Sequence, residues 1–231
     1  MNTKQNTSKL SLDLFLVQGK WAAWFLSTVC IIYVVFRMVV DQNQISFFPF
    51  AFQPSKIFML ILGIMSPAVF LTFYVRQGIT RRDYFYGSAL AAIALSLALS
   101  IIASIISGFQ HLLTGSQITV HMLNDEASLP LIMFSFFLNV LVYFAAGWLV
   151  GAGIYRSGWL IGLGHIVLAM VIVSLSDLFW EGDMSEPWLT FFNVNAADIS
   201  IAFSFIVTLL LLTGTFWLVR LLTRNVTVKM K

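Results

Sequence analysis

Residues 130–152 read PLIMFSFFLNVLVYFAAGWLVGA, twenty-three residues without a charge. Coiled as a helix at about 1.5 Å per residue, this stretch reaches about 34 Å, enough to cross the roughly 30 Å hydrocarbon layer of a bilayer. It is unbroken by the apolar/polar alternation that a membrane β-barrel strand needs. Lipid offers no partner to backbone N–H and C=O groups, so a spanning segment of this kind satisfies them internally, as a helix.

Five further runs of similar character flank it, at 21–40, 57–75, 88–107, 158–179 and 198–219. Apolar residues make up 59% of the 231-residue chain and charged residues only 10%, against roughly 25% charged in soluble domains. The expected fold is an all-α membrane protein, a six-transmembrane-helix bundle. The first run is about twenty residues long, beyond a signal-peptide core, and Asp41-Gln42-Asn43-Gln44 follows it rather than a small-residue cleavage site. It reads as a permanent anchor.

The charges between the runs set an orientation. Lys4, Lys9, Lys20, Arg76, Arg81, Arg82, Arg156, Arg220, Arg224, Lys229 and Lys231 fall on one side, with Asp13 and Asp83. Asp41, Asp125, Glu126, Asp177, Glu181, Asp183, Glu186 and Asp198 fall on the other, with Arg37 and Lys56. The basic side is the cytoplasm, so both termini are expected inside. Residues 1–20 form a cytoplasmic N-terminus whose lysine-bracketed apolar stretch 10–19 reads as an interfacial helix lying flat on the membrane. Residues 21–219 are the membrane domain and 220–231 a basic tail. Outside, Phe47-Phe48-Pro49-Phe50-Ala51-Phe52 reads as an aromatic belt, and 187–192 as a short apolar dip.

The sequence excludes much chemistry. It has no His-Glu-x-x-His, no Cys-x-x-Cys, no phosphate-binding loop and no Gly-x-Ser-x-Gly. Cys30 is the only cysteine, so no metal ligand set or intrachain disulfide is read here, and no basic stripe with aromatics points to nucleic acid. His111 and His121 fall in the third connection. His165 is the one ionisable side chain placed well inside the bilayer, with a hydrogen bond to a neighbouring helix as its ordinary role. Asp177 and Asp198 read as solvated span ends. An intramembrane enzyme pairing His165 with Asp177 would have to bridge about 18 Å along one straight helix. With almost no buried charge expected, an ion-coupled transporter is disfavoured.

Small residues recur at four-residue spacing: Ser88, Ala92, Ser96, Ser100, Ser104 and Gly108 in the third run, Gly147 and Gly151 in the fourth, Gly158 and Gly162 in the fifth. Such positions let helices approach closely. The most particular segment is cytoplasmic: Arg76-Gln77-Gly78-Ile79-Thr80-Arg81-Arg82-Asp83-Tyr84-Phe85-Tyr86-Gly87. Thr80 with Asp83 three residues later predicts a capped helix start after a glycine break, and Tyr84-Phe85-Tyr86 is expected to be exposed.

This Gly-Ile-Thr-Arg-Arg-Asp-Tyr-Phe pattern, after the second of six spans, resembles the permease subunits of ABC-2-type transporters. The flat N-terminal helix, cytoplasmic ends and apolar dip between spans five and six agree. The likeness covers the whole chain in architecture and residues 76–87 in motif. It implies a coupling element, Arg76, Gln77, Gly78, Ile79, Thr80, Arg81, Arg82, Asp83, Tyr84 and Phe85, that docks onto a separate cytoplasmic ATPase dimer. ATP and Mg would be bound by that ATPase, and no cofactor by this chain. It also implies a second permease subunit, identical or related, in a bacterial cell membrane, and export as the direction. The short outer connections differ from members with a large outer domain. The alternative is a non-transporting immunity, sensor or assembly protein using the same connection.

Overall fold

The computed structural model describes residues 3–40, 46–114, 129–181 and 201–224. The connection 115–128, the segment 182–200 with its expected dip, and the tail 225–231 lie outside the described residues, as does His121. Everything described except a short turn and Ser46 is helical: α1 (Thr3–Val40), α2 (Phe47–Met65), a π-helical turn (Ser66–Leu71), α3 (Thr72–Arg76), α4 (Arg81–Thr114), α5 (Leu129–Glu181) and α6 (Ile201–Arg224). Five of the resulting helical stretches are long and apolar enough to cross a membrane.

The longest, α5, has 53 residues but is not one rod. At Gly158 the backbone takes φ 81° and ψ 179°, outside the helical region, a conformation glycine adopts without a Cβ penalty. The arms on either side run antiparallel: Ser176 Oγ donates to Asn139 Oδ1 (2.9 Å), the Tyr143 hydroxyl donates to Asp177, and Gly162 lies against Ile154. The fourth and fifth apolar runs are thus the two arms of a hairpin. Gly158, expected to pack against a helix, has open space around it and serves as the point of reversal.

The first arm of α5 is the centre of the bundle. Every residue from 135 to 153 is buried, as befits a helix apolar on all sides. Against it lies α2. A Cβ added to Gly63 would stand 2.2 Å from the Phe144 carbonyl oxygen, one at Gly147 2.1 Å from that of Leu60, and one at Gly151 2.3 Å from that of Ile64. Backbone meets backbone along this seam, and only glycine permits it. Ser88, Ala92, Ser96 and Ser100 on α4 are buried, and Ser100 Oγ donates across to the Met133 carbonyl at 2.7 Å. On α6 the buried stripe is Ser204, Thr208, Leu212, Thr215, Val219 and Thr223; hydroxyls point inward while Leu209, Leu210 and Trp217 point out, an order suited to a lipid solvent.

Helix α1 is unbroken from Thr3 to Val40, so the expected flat helix over residues 10–19 is not a separate element. Its stripe Leu10, Leu14, Gln18, Ala22, Leu26, Val29 and Tyr33 is buried and runs parallel to α4, with Leu10 under Gly87 and Thr7 beside Asp83. Lys20 therefore sits about 20 Å along the helix from Thr7, away from the end where the charge pattern put it. The second apolar run also begins earlier than residue 57. Phe47 opens α2, its N–H bonded to Gln110 Oε1 at 2.8 Å. Phe47, Phe48 and Phe52 are buried against Tyr33 and Phe136, so these three form core rather than a belt in the headgroups.

Candidate functional site

Two places in this bundle concentrate polar chemistry. The first is one end. Helix α3 closes with Gln77 N–H to Tyr74 O (3.1 Å) and Gly78 N–H to Val75 O (3.0 Å), and Gly78 takes φ 87°. After four residues α4 begins, and Thr80 caps it: its Oγ1 accepts the Asp83 N–H (3.1 Å) and donates to Asp83 Oδ2 (2.8 Å). The cap read from the sequence is there, closed further by Thr7 Oγ1 on Asp83 Oδ1.

Around this turn the arginines gather. Arg81 reaches the Arg224 carbonyl (3.5 Å) and Arg156 the Leu221 carbonyl (3.2 Å), while Arg220 lies 5.2 Å over the Phe85 ring and 5.7 Å over Tyr86. The N-terminal part of α1, the 77–80 turn, the start of α4, the α5 reversal and the end of α6 therefore share one basic end. Arg76, Gln77, Gly78, Thr80 and Arg82 are exposed there, with Ile79 and Arg81 half-buried. Of the aromatic trio only Tyr86 is exposed. Tyr84 and Phe85 are buried, Phe85 stacked on Trp148 at 5.3 Å; a helix that starts at Arg81 turns these two side chains inward. They anchor the turn rather than present it.

Beneath it, Pro67 cannot donate a backbone hydrogen bond, and the chain from Ser66 to Leu71 widens into π-helix. The Tyr84 hydroxyl donates to the Ser66 carbonyl (2.7 Å), and Ser66 Oγ lies 2.7 Å from that hydroxyl and 3.2 Å from Ser88 Oγ. The irregular turn is thus tied to α4, one residue past Asp83.

The second place is inside. Lys56 Nζ and Asp177 Oδ1 are 2.8 Å apart, with side chains 0% and 4% exposed. The Tyr143 hydroxyl holds the other carboxylate oxygen, and the ammonium lies 4.3 Å over the Phe52 ring and 5.1 Å over Tyr143. Lys56 is nine residues past Phe47, about 13 Å along α2, and about 30 Å from Arg76. Ser176, next to Asp177, bonds Asn139, whose Nδ2 donates to the Ser135 carbonyl (3.0 Å). This corrects the placement of both residues as solvated outer charges and the expectation of almost no buried charge. Each lies one residue from, or near, the edge of an apolar run, where sequence alone reads a boundary; the longer α2 and the returning α5 arm enclose them.

His165 has a quieter setting. Its Nδ1 lies 3.0 Å from the Ile161 carbonyl of its own helix, not a neighbour's, and its ring fills the space left by Gly153. Its helix also bears Asp177, and no contact between the two is seen. His111 lies within α4 rather than in a connection. Among the described residues no three His, Cys, Asp or Glu side chains converge on a common point.

No family model, curated protein or solved structure matches this chain.

Proposed function

We propose that this chain is the membrane permease subunit of an ATP-driven exporter of the ABC-2 type, with six spans, both termini in the cytoplasm, and its basic end facing a partner ATPase. The two arms of α5 supply the fourth and fifth spans, and clustering of arginines at one end agrees with a cytoplasmic face. The observation that carries the reading is the 77–80 turn. It is short, held by four backbone hydrogen bonds and the Thr80 cap, and exposes Arg76, Gln77 and Arg82 beside Tyr86. A rigid, charged knob on buried aromatic anchors suits docking into a groove of a soluble protein, because little order is lost on binding. Lys56 and Asp177 neutralise each other, so neither presents a lone charge to a coupling ion. Energy then comes from the partner, as the absence of a phosphate-binding loop here also requires.

The test is capture of the tagged chain from its native membrane in mild detergent, followed by mass spectrometry. A protein with a phosphate-binding loop should come down in comparable amount, and the variant Arg76→Ala/Gln77→Ala/Arg82→Ala should lose it while still inserting. Phe85 is left intact because its ring is part of the core. Capture of the chain alone, or equal capture by the variant, refutes the docking role and turns the reading to a sensor, immunity or assembly protein.

A further inference from the structure

Lys20 is exposed on α1 and borders a groove of about 390 Å³ along the flank of the α1–α4 seam. The two helices run parallel with Leu10 under Gly87, so ten residues further on, about 15 Å, Lys20 is level with Leu97. Phe15, Gly19 and Ala23 follow one another by a turn along α1, and Ala98 and Ile102 do so along α4; these five wall the groove. Its width comes from small residues. A Cβ added at Gly19 would meet nothing within 4 Å, and Ala23 and Ala98 carry only methyl groups. Apart from the lysine, every side chain in the wall is apolar.

The cation decides the occupant. Among the described residues Lys20 has no carboxylate partner. Asp177 is held by Lys56, Asp83 by Thr7 and Thr80, and Asp13 lies seven residues back, about 10 Å along α1. The surroundings do not suit water. Leu16 and Trp24, one turn before and after Lys20, are exposed, as are Leu97 and Ile101 on α4. In a membrane-embedded chain such a surface meets lipid, and an ammonium there is stabilised by an anion.

The anion that a bilayer supplies is lipid phosphate, which lysine meets as a point charge. A free phosphate would leave the apolar groove open, and an uncharged lipid would leave the ammonium unpaired. A molecule with an anionic head and an alkyl tail satisfies both. We propose that this groove binds one anionic phospholipid, its phosphate paired with the Lys20 ammonium and an acyl chain lying between Ala23 and Ala98 toward Ile102. The inference requires only that the chain is embedded in a membrane, and does not rest on the transport reading.

The full-length chain in nanodiscs, irradiated with a phosphatidylglycerol that carries a diazirine on its acyl chain, tests this by mass spectrometry of the labelled peptides. Label should concentrate on 19–26 and 98–102. Unlabelled phosphatidylglycerol should displace it about two- to fivefold better than phosphatidylcholine of equal chain length, the worth of one exposed charge pair. Lys20→Gln should abolish that preference at these residues and Lys20→Arg should keep it; both replace an exposed side chain. Ala23→Phe, which fills the groove, should remove the label here and leave that at exposed Leu160 and Leu210 unchanged. Label in simple proportion to exposure, equal competition by the two lipids, or a preference that survives Lys20→Gln overturns the proposal. Displacement by inorganic phosphate alone overturns it too, because the site would then serve a free anion.

Discussion

Replacing Asp177 by leucine removes the carboxylate that the fully buried Lys56 ammonium and the Tyr143 hydroxyl both contact. Breaking a buried pair from one side costs about 3–5 kcal/mol, whereas replacing the whole pair by apolar groups of similar volume is neutral or stabilising by about 1–4 kcal/mol. Loss of the Tyr143 hydrogen bond adds about 0.5–1.5 kcal/mol. The comparison is therefore Asp177→Leu against the triple variant Lys56→Met/Tyr143→Phe/Asp177→Leu. For a chain of this size about 1 kcal/mol moves Tm by about 2–4 °C, so the single variant should lose about 10 °C or more and the triple should stay near the parent. Tryptophan fluorescence in mild detergent follows the transition, since Trp148 and Trp180 are buried. If Asp177→Leu melts with the triple variant, or the separate losses simply add, the two charges do not depend on each other and the enclosed pair is refuted.

Two further outcomes follow from the backbone. Gly63→Ala places a methyl group 2.2 Å from the Phe144 carbonyl and 2.8 Å from the Trp148 nitrogen, so α2 must move off α5, at about 1–3 kcal/mol; Gly164→Ala, with nothing within 4 Å, should melt near the parent, and equal losses would refute the seam. Gly158→Ala forces a side chain into φ 81° and ψ 179°, backbone open essentially to glycine alone, at about 1–3 kcal/mol; Gly158→Asn, which tolerates only the left-handed helical region, should lose as much in the same assay, and recovery by Asn would refute this account of the reversal.

The long apolar helices were legible because lipid imposes one rule on every residue inside it: long runs such as 130–152 carry no charge. The Thr80–Asp83 cap and the Gly147–Gly151 seam were legible because both arise within a single turn or two. Gly63, the partner of that seam, was missed because it stands alone in its run. The Lys56–Asp177 pair was missed for a different reason. A charge beside an apolar run marks its edge when read in one dimension, and its partner is 121 residues away. The inward turn of Tyr84 and Phe85 likewise depends on where Trp148 lies.

The same separation constrains how the protein is made. A chain grows at about 5–20 residues per second, so Asp177 follows Lys56 by about 6–24 s. Through that interval the Lys56 ammonium lacks the carboxylate that it meets in the finished bundle, and a lysine in a membrane segment is favoured near the headgroups. Only when the second arm of α5 turns back at Gly158 does Asp177 come within reach of Lys56. The centre of the bundle thus closes late in synthesis, after both arms of α5 exist.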